Sequence, residues 1–223
     1  MIAPRRARRI RLPRFADVRR SRYLTLLLAI AALLLLSPFL EASRRDRILY
    51  GVLTLVVLIA AVRASTQAGH RLRFIALGVG LIWALLTVID VVRPGDAQRL
   101  AADGLFLAFS AYTMSAVLGR VLTAKRVDFD ILCGTAAAYL LLTVTWAILY
   151  GIIETLSPGS FAGMTRTDFP EFLYFSLTTV TSLGFGDITP INPFARVWVG
   201  LQAVVGIFYM AAVVARLVSA YER

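Results

Sequence analysis

The chain has one cysteine, Cys133, and one histidine, His70, and only 17% of its 223 residues are charged. A single cysteine excludes an intrachain disulfide, and Cys133, inside an apolar run, reads as a small buried hydrophobe. His70 falls in an expected connecting turn and reads as a solvated side chain rather than a pH sensor. Acidic residues are also scarce, 13 against 24 basic ones. What fills the chain instead is apolar: 59% of the residues are hydrophobic and the mean hydropathy is +0.76, too apolar for a soluble domain of this size. At ~20 residues per membrane span, the length accommodates six spans and one shorter re-entrant element, with no room for a separate cytosolic domain.

The basic excess raises the question of nucleic acid, and its distribution answers it. Nine arginines, Arg5, Arg6, Arg8, Arg9, Arg11, Arg14, Arg19, Arg20 and Arg22, crowd residues 1–22. Arg5, Arg8, Arg11 and Arg14 have the three-residue spacing of a voltage sensor. A sensing charge must lie in the membrane field, however, where each is worth ~2.3 kcal/mol per 100 mV. These lie outside any apolar run and are interrupted by Pro13. The segment reads as a cytoplasmic retention signal that also touches anionic headgroups. Residues 23–40 exceed the ~7–15-residue apolar stretch of a signal peptide, so a retained first span is expected.

Further spans are expected at residues 48–64, in a stretch ending near Val92, and at residues 100–122, 129–156 and 194–220. Residues 41–47, the stretch around Arg63, His70, Arg71 and Arg73, and Arg93-Pro94-Gly95-Asp96 read as connections. The fourth span has no basic residue between Leu100 and Gly119. It therefore lacks voltage-sensing charge, and its Asp103, Ser110, Thr113 and Ser115 suit a helix interface. With both termini cytoplasmic, the N-terminal arginines fall inside together with Arg63, Arg71, Arg73, Arg120, Lys125, Arg126, Arg216 and Arg223. This satisfies the positive-inside rule and explains the basic balance without nucleic acid.

One apolar helix is too short to cross. Asp168-Phe169-Pro170-Glu171 has a capping acid, a first-turn proline and a glutamate three residues on. The helix it opens runs to about Thr181, and ~13 residues at 1.5 Å each reach ~20 Å, short of the ~30 Å hydrocarbon core. It must turn back, through residues 178–190, Thr-Thr-Val-Thr-Ser-Leu-Gly-Phe-Gly-Asp-Ile-Thr-Pro. A dehydrated cation needs a cage of oxygens, which backbone carbonyls aimed at one axis can supply. Aiming successive carbonyls the same way requires alternate residues at positive φ, which suits Gly184 and Gly186. The carbonyls of Ser182, Leu183, Gly184 and Phe185 would face the ion, the Ser182 hydroxyl would add acceptors at the inner end, and Asp187 would stand at the outer mouth. Gly78-Val79-Gly80 shares the Gly-x-Gly spacing but reads as helix packing.

The stretch from Thr181 through Asp187 resembles the potassium-channel signature, whose core is Thr-Val-Gly-Tyr-Gly. Ser-Leu-Gly-Phe-Gly keeps the hydroxyl, the apolar side chain and the ring, and loses the tyrosine hydroxyl. The resemblance implies an all-α membrane protein with six transmembrane helices plus a re-entrant pore helix and selectivity-filter loop. One chain supplies one filter strand, so a homotetramer is expected. Three regions follow: a basic cytoplasmic segment (1–22), a four-helix membrane domain without an arginine-bearing sensor (23–127), and a pore domain (128–223). The motif covers residues 129–220, while residues 1–127 resemble the family in span count alone.

The expected function is passive K+-selective conduction by a non-enzyme, with permeant K+ at Ser182, Leu183, Gly184 and Phe185 and no other cofactor. Thr181, Gly186 and Asp187 complete the filter. Tyr174, Phe175 and Thr178 support it, with Tyr174 to Asp187 as the one polar contact from the pore helix. Gly206, twenty residues beyond Gly186, is a candidate hinge or a packing residue. Glu154 either lines the outer vestibule or is solvated. The tail after Arg216 is too short for a regulatory domain, so such control would come from a separate subunit. Two alternatives stand: a non-selective monovalent cation channel, because three filter positions depart from consensus, and a transporter or non-conducting membrane sensor.

Overall fold

The structure, a computed structural model, describes residues 21–39, 44–65, 70–92, 95–124 and 128–221. The arginines of residues 1–20 lie outside the described residues, as do Arg93, Pro94, Lys125, Arg126 and Arg223. Long apolar runs in lipid must satisfy their backbone groups internally, which favours helices, and the chain is predominantly helical. In order come α1 (Arg22–Leu36), a 3-10 turn (Ser37–Phe39), α2 (Arg44–Ser65), α3 (His70–Val92), α4 (Asp96–Thr123), α5 (Phe129–Leu156), β1 (Phe161–Ala162), α6 (Phe169–Val180), β2 (Thr189–Pro190) and α7 (Pro193–Tyr221).

Side-chain caps set several starts. The Ser21 hydroxyl accepts from the Leu24 amide at 3.0 Å, Asp128 from the Ile131 amide at 2.8 Å, and Asp168 from the Glu171 amide at 3.3 Å. Each satisfies an N–H that the first turn leaves orphaned.

Two expected connections are corrected. Arg44, Arg45 and Arg47 lie in α2 rather than in a loop, and His70, Arg71 and Arg73 open α3 rather than marking a turn. Hydropathy marks where lipid begins, whereas a helix continues until something caps it, and arginine is a good helix former. Gly95 is the N-cap of α4, which starts at Asp96, four residues before the expected span.

Four helices among the described residues are long and apolar enough to cross a membrane: Arg22–Phe39, Asp96–Thr123, Phe129–Leu156 and Pro193–Arg216. Within α2 and α3 the apolar stretches are shorter, Gly51–Ala64 and Gly78–Ile89. The chain is a membrane protein.

Helix α5 is the hub, packed against α1, α4 and α6. Gly134, Ala137, Ala138 and Ala147 are buried along it, and such small residues let helix backbones approach. At Gly134 a Cβ would come within 3.1 Å of the Tyr23 ring of α1. Helix α7 lies against α5 and α6 and leaves Val197, Leu201, Val204, Ile207 and Phe208 exposed along its length.

Candidate ion-conduction site

Helix α6 has 12 residues, a length of about 18 Å, and ends in the loop singled out above. Its last turn is closed from below. The Thr181 amide and hydroxyl both donate to the Leu177 carbonyl, at 3.1 and 2.6 Å. The chain then hangs from two carbonyls of α6. The Ser182 amide donates to Thr179 at 3.1 Å, and the Leu183 and Gly184 amides both donate to Thr178, at 2.8 and 3.1 Å. Thr178 thus meets the loop through its backbone, while its hydroxyl turns back to the Phe175 carbonyl at 2.9 Å.

Along the loop, Ser182, Gly184 and Gly186 have φ of 61°, 51° and 80°. Every second residue is left-handed, which the sequence announced at the two glycines and not at the serine. Extending the glycine spacing back by two would have found it. The carbonyls of Ser182, Leu183, Gly184 and Phe185 accept no hydrogen bond among the described residues. Leu183 and Phe185 side chains are 61% and 67% exposed.

The carboxy-terminal end of the loop has its own frame. Tyr174 donates its hydroxyl to Asp187 at 2.6 Å, and chiefly for that reason the Asp187 carboxyl is held below the usual carboxylate range. Strand β1 pairs antiparallel with β2, Phe161 opposite Pro190 and Ala162 opposite Thr189. Gly163, at φ +84°, lies so close that a Cβ would fall 1.7 Å from the Asp187 carbonyl oxygen. Glu154 is more than solvated: its two oxygens accept from the Gly159 and Ser160 amides at 2.7 and 2.9 Å, folding the loop that leads into β1. The Ser160 carbonyl in turn accepts from the Ile191 amide at 2.8 Å. Sequence reasoning missed this frame because two-residue strands carry no periodicity. Gly163, in a polar loop just ahead of the short helix, was its one signal.

The Phe175 ring packs against those of Tyr150 and Phe161, its centroid 5.2 and 5.6 Å from theirs. Behind it lies a polar cluster that the sequence reading did not single out. Gln202 of α7, Tyr150 of α5 and Ser176 of α6 are all fully buried. The Tyr150 hydroxyl donates to Gln202 Oε1. Gln202 Nε2 donates to the Ser176 hydroxyl at 2.7 Å and carbonyl at 3.1 Å, and the Ser176 hydroxyl donates to the Thr143 carbonyl at 2.7 Å. A lone glutamine in an apolar span was the available clue, since such residues are costly in lipid and usually partnered.

Gly206 lies in the unbroken helix α7, where a Cβ would come within 2.8 Å of the Val180 carbonyl oxygen. That same oxygen accepts from the Tyr139 hydroxyl at 3.0 Å. Further along α7, Arg216 donates to the Ala124 carbonyl at 2.6 Å, joining this helix to the connection between α4 and α5.

A family model described as an ion channel matches residues 138–223, the stretch from within α5 to the last residue. TWiK family of potassium channels protein 18 of Caenorhabditis elegans is 29% identical over 141 residues, 62% of this chain and 28% of that protein. Potassium voltage-gated channel protein shk-1 of the same organism is 34% identical over 56 residues, 25% of this chain and 10% of its own length. Protein LctB of Bacillus caldotenax is 31% identical over 146 residues, 65% of this chain and 92% of LctB. The chain thus spans under a third of either Caenorhabditis elegans relative and nearly all of LctB. No solved structure matches. The family model includes the loop, and with these relatives the chain belongs to the potassium channel family of ion channels.

Proposed function

We propose that the protein conducts K+ passively and selectively through a central pore formed by four copies of the chain. The supporting observation is the loop itself: left-handed φ at Ser182, Gly184 and Gly186, with the Ser182, Leu183 and Gly184 amides tied back to α6. The carbonyls of residues 182–185 accept no hydrogen bond among the described residues. Carbonyls so freed can replace an ion's hydration shell. In this reading they belong to Ser182, Leu183, Gly184 and Phe185, and the Ser182 hydroxyl adds an inner ring of oxygens. Helix α6 points its carboxyl end, the negative pole of its dipole, toward the ion. Asp187 stands at the outer mouth.

In the same reading α2 and α3 also cross the membrane, giving six spans in the cell membrane with both termini cytoplasmic. The exposed apolar face of α7 meets the pore and neighbouring copies. The protein makes and breaks no bonds and holds no cofactor other than the permeant ion. The test is the reversal potential of the purified protein in planar bilayers, with K+ on one side and Na+ on the other. A value close to the K+ equilibrium potential is expected. Current that reverses near zero would make it a non-selective cation channel instead, with Ser182, Leu183 and Phe185 as the positions to revert.

A further inference from the structure

We propose that Gln202 is a positioning residue of the candidate filter: a carboxamide on α7 that sets the rotation of α6 and, through α6, the carbonyls of residues 182–185. The inference rests on the channel reading above.

Gln202 is fully buried in a helix of mostly apolar composition, where an amide without partners is strongly unfavourable. Here both amide hydrogens are used, on the Ser176 hydroxyl at 2.7 Å and the Ser176 carbonyl at 3.1 Å, and the amide oxygen accepts from Tyr150. Ser176 passes its own proton to the Thr143 carbonyl at 2.7 Å. One side chain therefore joins α5, α6 and α7.

A leucine or methionine would fill the volume without desolvating polar groups, so packing alone gives no reason for a carboxamide. What a carboxamide adds is direction: its bonds are met at one rotation of α6 and lost at others. Ser176 lies two residues before Thr178, whose carbonyl carries the Leu183 and Gly184 amides. On a rigid helix, turning Ser176 turns Thr178, and the loop follows.

The experiment uses the full chain in bilayers with opposed K+ and Na+, comparing wild type, Gln202→Leu and Gln202→Glu. In Gln202→Leu the Na+/K+ permeability ratio is expected to rise about tenfold, the size of effect one lost hydrogen bond produces when it falls wholly on discrimination. The oligomer, judged by size-exclusion chromatography, is expected to persist. In Gln202→Glu the protonated carboxyl can still donate to Ser176 and accept from Tyr150, while the ionised form cannot donate. K+ selectivity is therefore expected to recover reversibly as the bathing pH falls, in this variant and in neither of the others.

A wild-type reversal potential in Gln202→Leu, or a Gln202→Glu that stays as unselective as Gln202→Leu at every bathing pH, overturns the role of Gln202 and leaves the channel reading standing. If Gln202→Leu fails to assemble, the pH titration of Gln202→Glu decides alone. A wild type that is itself non-selective overturns the channel reading and this inference with it.

Discussion

Around α6, polar side chains reach from helix to helix: Tyr150 to Gln202, Gln202 to Ser176, Ser176 to Thr143, Tyr139 to Val180 and Tyr209 to Thr135 at 2.6 Å. Among α1 to α4 the buried hydroxyls divide: Ser37 and Ser110 turn back to Leu34 and Leu107, the Tyr23 hydroxyl accepts from Arg120 of α4 at 3.3 Å, Ser21 donates to Asp130 of α5 at 2.6 Å, and the Thr113 hydroxyl has no partner among the described residues. Ser110 also accepts from Thr145 of α5 at 2.9 Å, and that bond already belongs to the boundary. The difference follows from what each contact can specify. Apolar packing fills volume without fixing a rotation, and in lipid it has no hydrophobic drive behind it. Hydrogen bonds fix distance and angle. Such bonds are densest where a dehydrated ion is proposed to sit, the place that needs ångström tolerance.

Substitutions can break that contrast, and the strongest is Gly163→Ala. Its Cβ would fall 1.7 Å from a backbone oxygen of Asp187, at φ +84°, so backbone must move and both strain and clash act on the loop. We expect K+ flux into liposomes to be abolished with helical content by circular dichroism unchanged. Gly104→Ala in α4, where a Cβ meets nothing within 4 Å, should leave flux intact and stabilise by up to about 1 kcal/mol. If both variants behaved alike, the contrast would be wrong.

Gly206→Ala ranks next. The added methyl would lie 2.8 Å from the Val180 carbonyl oxygen and 2.9 Å from its Cγ2, an overpacking typically worth about 1–3 kcal/mol. A lowered thermal midpoint together with reduced conductance is expected. If Gly206 serves only as a hinge, conductance would change with the thermal midpoint unmoved.

Tyr174→Phe sharpens the contrast through pH. Because the Asp187 carboxyl titrates below its ordinary value of 3.8, the stabilisation it brings is fully present above that value and is lost as pH falls through the lower folded value. Removing the Tyr174 hydroxyl takes away the chief cause of the depression. The acid midpoint of K+ flux is expected to move up toward 3.8, and an unmoved midpoint would detach Asp187 from conduction. The smallest effect belongs to Thr113→Val. Replacing a buried hydroxyl that has no partner among the described residues with a methyl should be neutral or stabilising by up to about 1 kcal/mol in thermal denaturation, with selectivity unaffected.

Much of this was legible before the structure. The capping residues Asp168 and Glu171 with Pro170 marked the start of α6, and α5 runs from Phe129 to Leu156 as its apolar run indicated. The two glycines of the loop could be read from residue types alone, and the contact between Tyr174 and Asp187 followed from the resemblance to potassium channels. What stayed hidden depends on partners far apart in sequence. Gln202 is an ordinary glutamine until Ser176 and Tyr150 are placed beside it, and Gly163 is a turn glycine until Asp187 is brought against it. Helix ends such as Arg44 and His70 were misjudged because hydropathy reports the lipid boundary, not the last hydrogen bond.

Ser182 carries a consequence of another kind. It holds φ of 61°, a conformation costing an L-residue other than glycine about 1–2 kcal/mol, in a loop whose other two left-handed positions are already glycine. A third glycine would give the same backbone with less strain, so the most stable sequence and the present one part company here. Any selection for heat resistance alone should drive position 182 to glycine and discard the hydroxyl. In the channel reading proposed above, serine at this position answers a requirement other than folding: a ring of hydroxyl oxygens at the inner end of the filter.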